Sequence, residues 1–274
     1  MAFPNKTIII TGASDGIGAE LARQLAVPGA RLVLAARSLD KLHAVAAACT
    51  AAGAQVLAQR ADVSVEADCA SLIKATVEKF GGIDMLVNNA GVSMHAWFED
   101  ITDFSTFETL FRVNTMSAIW LTRDALPYLK QSRGLIAGVS SLAGKTGVPA
   151  RTTYCASKFA MTGFFEALRI ELAGSGVDVT MIYPGVVDTN IRRNGLKGDG
   201  ARAGVSGLSE AGAMSIEECA RQIIVALGSR KRELIMTGKG KFGMLLKAVA
   251  PALVDNMARK ALSKDGSKME GSKQ

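Results

Sequence analysis

The stretch Lys6–Gly18, KTIIITGASDGIG, decides the fold. Its first half is a short β-branched apolar run, and its second half is a glycine-rich turn that opens a segment of helical period. In the spacing TGxxxGxG, Gly12 permits a tight turn, Gly16 lets the backbone approach a pyrophosphate, and Gly18 lets helix and strand pack closely. The helix N-terminus adds free N–H groups and a positive dipole end for that anion. The stretch therefore predicts a strand–turn–helix unit that binds a dinucleotide.

Six further apolar runs of strand length follow, and segments of helical period lie between them. The predicted strands are 6–11, 31–36, 54–59, 83–88, 134–140, 177–183 and 232–237. The predicted helices are 16–27, 39–52, 65–80, 103–131, 152–173 and 215–227. Runs that stay apolar instead of alternating are typical of strands buried on both faces. With right-handed crossovers, the pattern predicts one Rossmann-fold α/β domain: a doubly wound, seven-stranded parallel sheet between helix layers.

The C-terminal part has a different pattern. We expect 1–238 to form the nucleotide-binding and catalytic domain, 239–262 a helical extension of it, and 263–274 a polar, disordered tail. In the extension, six apolar side chains fall on one helical stripe: Phe242, Leu245, Leu246, Val249, Leu253 and Met257. Pro251 should divide this helix in two. The stripe either packs on its own subunit or a partner's, or lies on a membrane surface with basic residues near anionic lipid.

The charge is unevenly distributed. Residues 230–274 contain 11 Lys/Arg and 4 Asp/Glu, an excess of +7, which is the net charge of the whole chain. The remaining 21 Lys/Arg and 21 Asp/Glu leave residues 1–229 neutral. A neutral body lacks the basic stripe that nucleic-acid binding needs, so we expect no nucleic-acid partner.

The cysteines and the N-terminus indicate the compartment. The four cysteines are scattered, without a CxxC pair or a histidine cluster, which argues against a metal site or a disulfide scaffold. The N-terminal apolar run is too short for a signal sequence or a membrane span. We therefore expect a cytoplasmic protein without a bound metal.

The end of the second strand, LAARS, bears on cofactor choice. Ala36 stands where an NAD site would carry a carboxylate for the ribose hydroxyl, and Arg37 and Ser38 suit the 2′-phosphate of NADP. Asp15, in the glycine turn, argues the other way. NADP(H) is thus favoured over NAD(H). Asp62, after the third strand, is either an adenine contact or a helix cap.

Polar motifs follow the fourth, fifth and sixth strands. NNAG occupies 88–91, Ser141 follows the fifth strand, and Tyr154 and Lys158 lie one turn apart on the next helix. Together, TGxxxGxG, NNAG, a Ser thirteen residues before YxxxK, and YPG resemble the short-chain dehydrogenase/reductase family. The resemblance covers residues 6 to about 237. It is strongest to the branch that contains 11β-hydroxysteroid dehydrogenase type 1 and related carbonyl reductases.

The resemblance implies catalytic roles for four residues. Tyr154 is the general acid in reduction and the base in oxidation, and the ammonium of Lys158 lowers its pKa and binds the nicotinamide ribose. Ser141 donates a hydrogen bond to the substrate oxygen, where negative charge grows. Asn114 holds a water that links Lys158 to solvent as a proton relay.

The resemblance also implies a cofactor site made of residues after each strand. Its members are Gly12, Ser14, Gly16, Ile17, Gly18, Arg37, Ser38, Asp62, Val63, Asn89, Ala90, Gly91, Tyr154, Lys158, Pro184, Gly185, Val187 and Thr189. The glycine-rich segment 188–212 is expected to be either a mobile lid over substrate or a solvated loop. Arg192, Arg193 and Lys197 are expected to face solvent, unless one of them meets an acidic group of the substrate. Trp97 and Phe98 either wall a site for an apolar carbonyl or alcohol, or are ordinary packing residues.

The leading hypothesis is an NADP(H)-dependent carbonyl reductase or alcohol dehydrogenase acting on a small molecule. One alternative is a 3-oxoacyl-acyl-carrier-protein reductase, although such reductases usually end soon after the last strand and residues 238–274 follow it here. Another is a non-catalytic nucleotide-sensing protein, whose sequence mark would be loss of the catalytic Tyr, Lys or Ser. The family further implies a homodimer or homotetramer that pairs the helices at 103–131 and 152–173.

Overall fold

The computed structural model describes residues 3–206 and 212–263. Its strands are β1 Thr7–Thr11, β2 Arg31–Ala36, β3 Gln55–Arg60, β4 Met85–Asn88, β5 Leu135–Val139, β6 Asp178–Tyr183 and β7 Glu233–Ile235. Its helices are α1 Gly16–Leu25, α2 Leu39–Ala51, α3 Glu66–Phe80, α4 Ser105–Phe111, α5 Ser117–Ser132, α6 Thr152–Glu171, α7 Ile216–Gly228, α8 Gly238–Val249 and α9 Pro251–Ser263. Every predicted strand is present, with boundaries displaced by no more than one or two residues.

The strands form one parallel sheet in the order β3-β2-β1-β4-β5-β6-β7. The predicted seven-stranded, doubly wound fold is therefore confirmed. Strand order reverses between β1 and β4, where Ile8 of β1 pairs with Leu32 on one side and Met85 on the other. Ligands of such sheets bind outside the carboxyl ends of the strands at this reversal point. The residues that follow β1 and β4 consequently lie at the entrance to the expected cleft.

Two hydrophobic cores sandwich the sheet. Ile8 and Ile10 of β1 belong to the core beneath α1, α2 and α7, whereas Ile9 belongs to the core beneath α3, α5 and α6. All three side chains are fully buried, and each such burial is worth about 1.5–3 kcal/mol. Burial on both faces is the reason why the run Ile8–Ile10 of β1 is apolar without alternation.

The predicted single helix at 103–131 is interrupted. α4 and α5 are joined by a π-helical segment, Arg112–Met116, in which each turn holds one residue more than in an α-helix. Two side chains of this segment bind α6: Thr115 Oγ1 donates to the Ser157 carbonyl at 2.8 Å, and Asn114 Nδ2 donates to Ser157 Oγ at 2.9 Å. The expectation of one regular helix was wrong, because these contacts require Asn114 and Thr115 to face α6 together.

The C-terminal extension contains two helices, α8 and α9, which meet at Pro251 as predicted. The face of α8 toward the sheet carries buried Gly240 and also Lys247, whose Nζ donates to the Lys145 carbonyl. Five of the six stripe residues are at least half exposed: Phe242, Leu245, Val249, Leu253 and Met257. Packing of the stripe on its own subunit is therefore wrong for these five. The predicted disordered tail lies almost entirely outside the described residues.

Candidate active site

The glycine turn after β1 has the geometry that its spacing predicts. Gly12 and Gly16 have φ angles of 66° and 53°, a left-handed region that glycine adopts without steric cost. A Cβ on Gly18 would lie 2.3 Å from the Gly12 carbonyl oxygen, so only glycine allows α1 to pack this closely on β1. Asp15 caps α1 by accepting from Gly16 N at 2.7 Å, and its second oxygen accepts from Asn190 Nδ2 at 3.2 Å. The carboxylate of Asp15 is thus used within the protein.

The segment after β4 is fastened to the end of β1. Asn89 N and Ala90 N both donate to Thr11 Oγ1 at 3.0 Å, and Asn89 Nδ2 donates to the Thr11 carbonyl at 2.8 Å. The Asn89 side chain is therefore committed to the backbone of the neighbouring strand. Its contribution to a cofactor site is to fix Ala90 and Gly91 beside the glycine turn.

Arg37 and Ser38 lie exposed after β2. The described residues give neither side chain a hydrogen bond or an ion pair, although Ser38 occupies the N-cap position of α2. Asp62 Oδ1 accepts from both N and Oγ of Ser64, at 3.0 and 2.7 Å, so one carboxylate oxygen serves as a turn cap. Val63, which follows, is buried.

The pKa of Asp62 reflects the charges near the carboxyl ends of β2 and β3. Burial alone would raise this pKa, but the hydrogen bonds from Ser64 and the positive charge of Arg37 outweigh burial and leave it lowered. Arg37 therefore lies within electrostatic reach of Asp62, and the structure brings these two predicted cofactor residues together.

The loop after β6 connects the chemical end of the site to the glycine turn. Its predicted contacts are Pro184, Gly185, Val187 and Thr189. The Pro184 carbonyl accepts from Leu142 N at 3.0 Å, and Val187 is buried and bridged to Met214. Thr189 Cγ2 lies 3.4 Å from where a Cβ of Gly16 would be. Thr189 thus faces the turn in which Ser14 and Ile17 also lie.

Ser141, Tyr154 and Lys158 converge at the carboxyl end of β5. Ser141 begins the 3-10 turn Leu142–Gly144, where its Oγ accepts from Ala143 N at 3.1 Å. Tyr154 and Lys158 are both buried on α6. Lys158 Nζ donates to the Val139 carbonyl at 3.0 Å and lies 6.0 Å from the centroid of the Tyr154 ring.

Burial dominates the titration of both groups on α6. It lowers the pKa of Lys158 to about 8 and raises the pKa of Tyr154 above its usual value. For Tyr154 the positive charge of Arg151 and a hydrogen bond with the Ser141 hydroxyl oppose this rise. Sequence reasoning missed Arg151. Its position next to α6 and three residues before Tyr154 indicated that it lies near that side chain, but its burial depends on contacts that form only in the folded chain.

Asn114 holds the loop that follows β4. Its Oδ1 accepts from Val92 N at 2.8 Å, and its Nδ2 donates to the Val92 carbonyl at 2.9 Å as well as to Ser157. A Cβ on Gly91 would lie 3.2 Å from Asn114 Oδ1 and 3.5 Å from Lys158 Nζ. Asn114 and Lys158 therefore flank the same glycine, and the water relay between them stays a prediction.

A third, smaller apolar cluster packs around Tyr154, on the side where we expect substrate to bind. Its buried members are Met94, Ile101, Leu110, Ala143, Tyr154 and Cys155. Met94 is bridged to Leu196 of the segment after β6. Phe98 is largely exposed and makes edge-on contacts with the rings of Phe104 and Phe107, at 6.3 and 6.5 Å. This geometry favours the packing interpretation for Phe98.

Two arginines are buried on this side. Arg192 is 7% exposed and its Nε donates to Ser206 Oγ at 2.8 Å, so the expectation that it faces solvent was wrong. The reason is that the segment after β6 folds back: Leu196 N donates to the Ser93 carbonyl at 2.8 Å. Arg151 is 8% exposed, and its Cζ lies 5.7 Å from the Tyr154 ring centroid.

Comparison with known proteins identifies this arrangement. The family model described as short chain dehydrogenase matches residues 6–199. The dehydrogenase/reductase SDR family protein 7-like of Dictyostelium discoideum is 35% identical over 96% of this chain and 83% of its own length. The 11-beta-hydroxysteroid dehydrogenase-like 4A of Arabidopsis thaliana is 43% identical over 67% of this chain and 61% of its own length.

Solved structures agree. A short-chain dehydrogenase/reductase from Burkholderia phymatum in complex with NAD has a TM-score of 0.81 at 26% identity, covering 92% of this chain and 95% of that one. An alcohol dehydrogenase from the archaeon Thermococcus sibiricus, complexed with 5-hydroxy-NADP, has a TM-score of 0.73 at 28% identity, over 84% and 95% of the two chains. The protein therefore belongs to the short-chain dehydrogenase/reductase family, in a branch similar to the 11β-hydroxysteroid dehydrogenases, and is an oxidoreductase of alcohol and ketone groups that uses a nicotinamide cofactor.

Proposed function

We propose that the protein is an NADP(H)-dependent reductase or dehydrogenase that interconverts an apolar ketone or aldehyde and an alcohol. The observation that carries the proposal is the convergence of Ser141, Tyr154 and Lys158 at the end of β5, beside the glycine turn. Apolar side chains surround Tyr154, which suits a substrate with an apolar body.

The residues present fit a bound NADP. The glycine turn leaves bare backbone at the N-terminus of α1, which suits a pyrophosphate. Arg37 and Ser38 are exposed after β2 with their polar groups uncommitted among the described residues, which suits a 2′-phosphate. Asp15, which argued against NADP in the sequence, is engaged as a cap. The bound nicotinamide supplies the hydride in reduction and accepts it in oxidation.

The protein's own groups handle the proton. In reduction, the Tyr154 hydroxyl donates its proton to the carbonyl oxygen, while Ser141 Oγ–H donates a hydrogen bond to the same oxygen as its charge grows. The ammonium of Lys158 stabilises the phenolate that remains. A water held by Asn114 returns a proton from solvent through Lys158. In oxidation, Tyr154 accepts the proton of the alcohol.

A kinetic comparison tests the proposal. Oxidation of NADPH and of NADH should be followed against a panel of apolar ketones and an acyl thioester. We expect a higher kcat/KM with NADPH and turnover of ketones. Preferred turnover of the thioester would identify a 3-oxoacyl reductase instead, and cofactor binding without any turnover would favour a nucleotide sensor. A kcat/KM that favours NADH would overturn the cofactor assignment.

Assembly is part of the proposal. Members of this family often form oligomers, and we propose a homodimer or homotetramer built on α5 and α6. Phe159 and Ile170 of α6 are exposed apolar side chains that such pairing would cover. Sedimentation at micromolar concentration should show a dimer or larger, and a monomer would contradict the proposal.

The exposed stripe on α8 and α9 retains two interpretations. It packs on a partner subunit, or it lies on an anionic membrane with Lys239, Lys241 and Arg259 near the lipid. Of the helices that the structure describes, none is long and apolar enough to cross a bilayer. Vesicle co-sedimentation of the full chain and of a version ending at Gly238 separates the two. Equal, negligible binding by both versions would exclude the membrane and leave subunit packing.

The compartment stays a proposal as well. We propose the cytoplasm, and the state of the cysteines supports a reducing environment. Cys49, Cys69, Cys155 and Cys219 are all free and buried. Burial raises the pKa of each of the four thiols, which keeps them as unreactive thiols in such a compartment.

A further inference from the structure

Arg151 occupies an unusual place for a charged side chain. It immediately precedes α6, three residues before Tyr154, and only 8% of its surface is exposed. Its guanidinium carbon lies 5.7 Å from the centroid of the Tyr154 ring. The loop after β4 covers it, since Ala96 N donates to the neighbouring Ala150 carbonyl at 2.9 Å. The positive charge therefore sits inside the substrate side of the site.

Most of the hydrogen-bonding capacity of this guanidinium is unused. Nη1 donates to Ser93 Oγ at 3.3 Å. Nε and Nη2 are buried and have no hydrogen-bond partner in residues 3–206 and 212–263. These two nitrogens form the side of the guanidinium whose parallel N–H groups bind both oxygens of a carboxylate at once. The unused edge is thus a preformed two-pronged donor.

The surroundings do not neutralise the charge. No ion pair among the described residues involves Arg151. Burial lowers the pKa of Arg151, the neighbouring Tyr154 opposes this lowering, and the charge of Arg192 adds to it. His95, in the covering loop, is within electrostatic reach and has a buried Nδ1 without a partner in the same described ranges. A buried cation without a counter-ion is unfavourable unless a ligand supplies one.

We propose that Arg151 binds a carboxylate of the substrate, so that the preferred substrates are oxo acids or the corresponding hydroxy acids. This inference rests on the proposed function and sharpens its substrate class. The carbonyl lies at Tyr154 and Ser141, the carboxylate lies against Nε and Nη2 of Arg151, and a short spacer joins them. Specificity arises because a neutral substrate of the same shape would leave the guanidinium buried and unpaired.

Matched pairs of substrates test the proposal. Acetoacetate, levulinate and benzoylpropionate place the carboxylate at increasing distance or add an apolar end, and their methyl esters are the neutral counterparts. For at least one pair we expect kcat/KM of the wild-type enzyme to favour the acid by about 10- to 100-fold, the size of a lost charge-assisted hydrogen bond. A wild-type enzyme that prefers the ester in every pair would overturn the proposal.

Arg151→Met removes the charge while keeping the length of the side chain. We expect it to lower kcat/KM for the preferred acid by about 10- to 100-fold more than for the matched ester, since loss of the Arg151 charge also acts on Tyr154 and affects both substrates. Arg221→Met, on the exposed face of α7, is the control and should change neither substrate. Equal losses on acid and ester would show that Arg151 is structural or acts on Tyr154, and would overturn the proposal.

Two further measurements keep the outcomes distinct. If Arg151→Met does not fold, Arg151→Lys retains a charge without the two-pronged edge, and the acid should again lose more than the ester. Calorimetric titration of levulinate and benzoylpropionate into the wild-type enzyme with NADP+ measures binding without turnover. Binding that requires Arg151, in an enzyme that reduces no ketone, would sustain this inference and overturn the proposed function. Ketone reduction that is indifferent to Arg151 would do the reverse.

Discussion

The two ends of the cleft are built in opposite ways. At the cofactor end, polar side chains are consumed by the protein itself: Asp15 caps α1, and Asn89 binds the backbone of β1. At the substrate end, polar groups are left open, as in the unused edge of Arg151 and Nδ1 of His95. From this difference we expect the cofactor to be recognised mainly by backbone shape and the substrate to be selected by individual side chains. Mutations at the two ends should therefore fail in different ways.

Tyr154→Phe should give the largest effect and should separate chemistry from cofactor binding. It removes only the hydroxyl that transfers the proton, so kcat should fall by about 100- to 10,000-fold, while NADP(H) affinity stays within a few-fold. Steady-state kinetics and cofactor titration measure the two quantities. Tyr128→Phe, on α5, is the control. Retention of more than about a tenth of kcat would mean that Tyr154 is not the acid.

Gly18→Ala should impair cofactor binding and stability, in contrast to Tyr154→Phe, which should impair turnover. The new Cβ would lie 2.3 Å from the Gly12 carbonyl oxygen and 2.5 Å from Asn89 Nδ2. Such overpacking costs roughly 1–3 kcal/mol, and it displaces the turn that receives the pyrophosphate. We expect a lower melting temperature together with weaker NADPH binding.

Gly82→Ala is the matched control for this variant. Gly82, in the turn before β4, has nothing within 4 Å of its added Cβ and no left-handed φ angle, so alanine should change stability by less than about 0.5 kcal/mol. Equal effects of the two substitutions would contradict the account of the glycine turn.

Arg37→Ala tests one of the two exposed side chains at the cofactor end that we expect to select the ligand, the other being Ser38. NADPH binding should weaken by about 1.5–3 kcal/mol, the range for a hydrogen bond to a charged group, and NADH binding should stay nearly unchanged. Arg31→Ala, at the opposite end of β2, is the control. Equal losses of affinity for both cofactors would mean that Arg37 has a structural role and does not select the 2′-phosphate.

The smallest expected effect is the change in kcat/KM for each unit of pH. It concerns only the substrate end of the cleft. Burial raises the pKa of Tyr154, so the phenolate that accepts a proton from an alcohol becomes more abundant as pH rises through neutrality. The kcat/KM for oxidation should increase with pH by up to about tenfold per unit, while reduction, which needs the protonated hydroxyl, stays level there. An oxidation rate that falls as pH rises from 6 to 8 would contradict the role of Tyr154.

The cofactor end was readable from the sequence because its determinants are local. A strand, a glycine turn and a helix are adjacent in the chain. The spacing alone therefore predicts the roles of Gly12, Gly16 and Gly18. The strands were equally readable, since burial on both faces leaves a continuous apolar run. Ser141 could be placed at the carboxyl edge of the sheet because it follows a predicted strand, whereas its grouping with Tyr154 and Lys158 came from the resemblance of the motifs.

The substrate end was less readable because its determinants meet only in the folded chain. An arginine at the start of a helix, like Arg151, is ordinarily exposed, and it is buried here only because the loop at Ser93 closes over it. Arg192 is buried because its segment folds back onto that loop. The outward orientation of Phe242 and Leu245 follows from the contacts of the opposite face of α8, at Gly240 and Lys247, which periodicity cannot show.

The π-helical segment between α4 and α5 changes the direction in which the side chains that follow it point. Each residue of an α-helix advances the side-chain direction by about 100°, so one extra residue in a turn rotates everything beyond it by roughly that angle. The buried Leu110 before the segment packs in the small cluster around Tyr154, whereas Leu121 and Leu129 beyond it pack in the core of the sheet. The helical stretch formed by α4, the π-helical segment and α5 thereby contributes side chains to two hydrophobic clusters, and Asn114 lies in the segment that changes their direction.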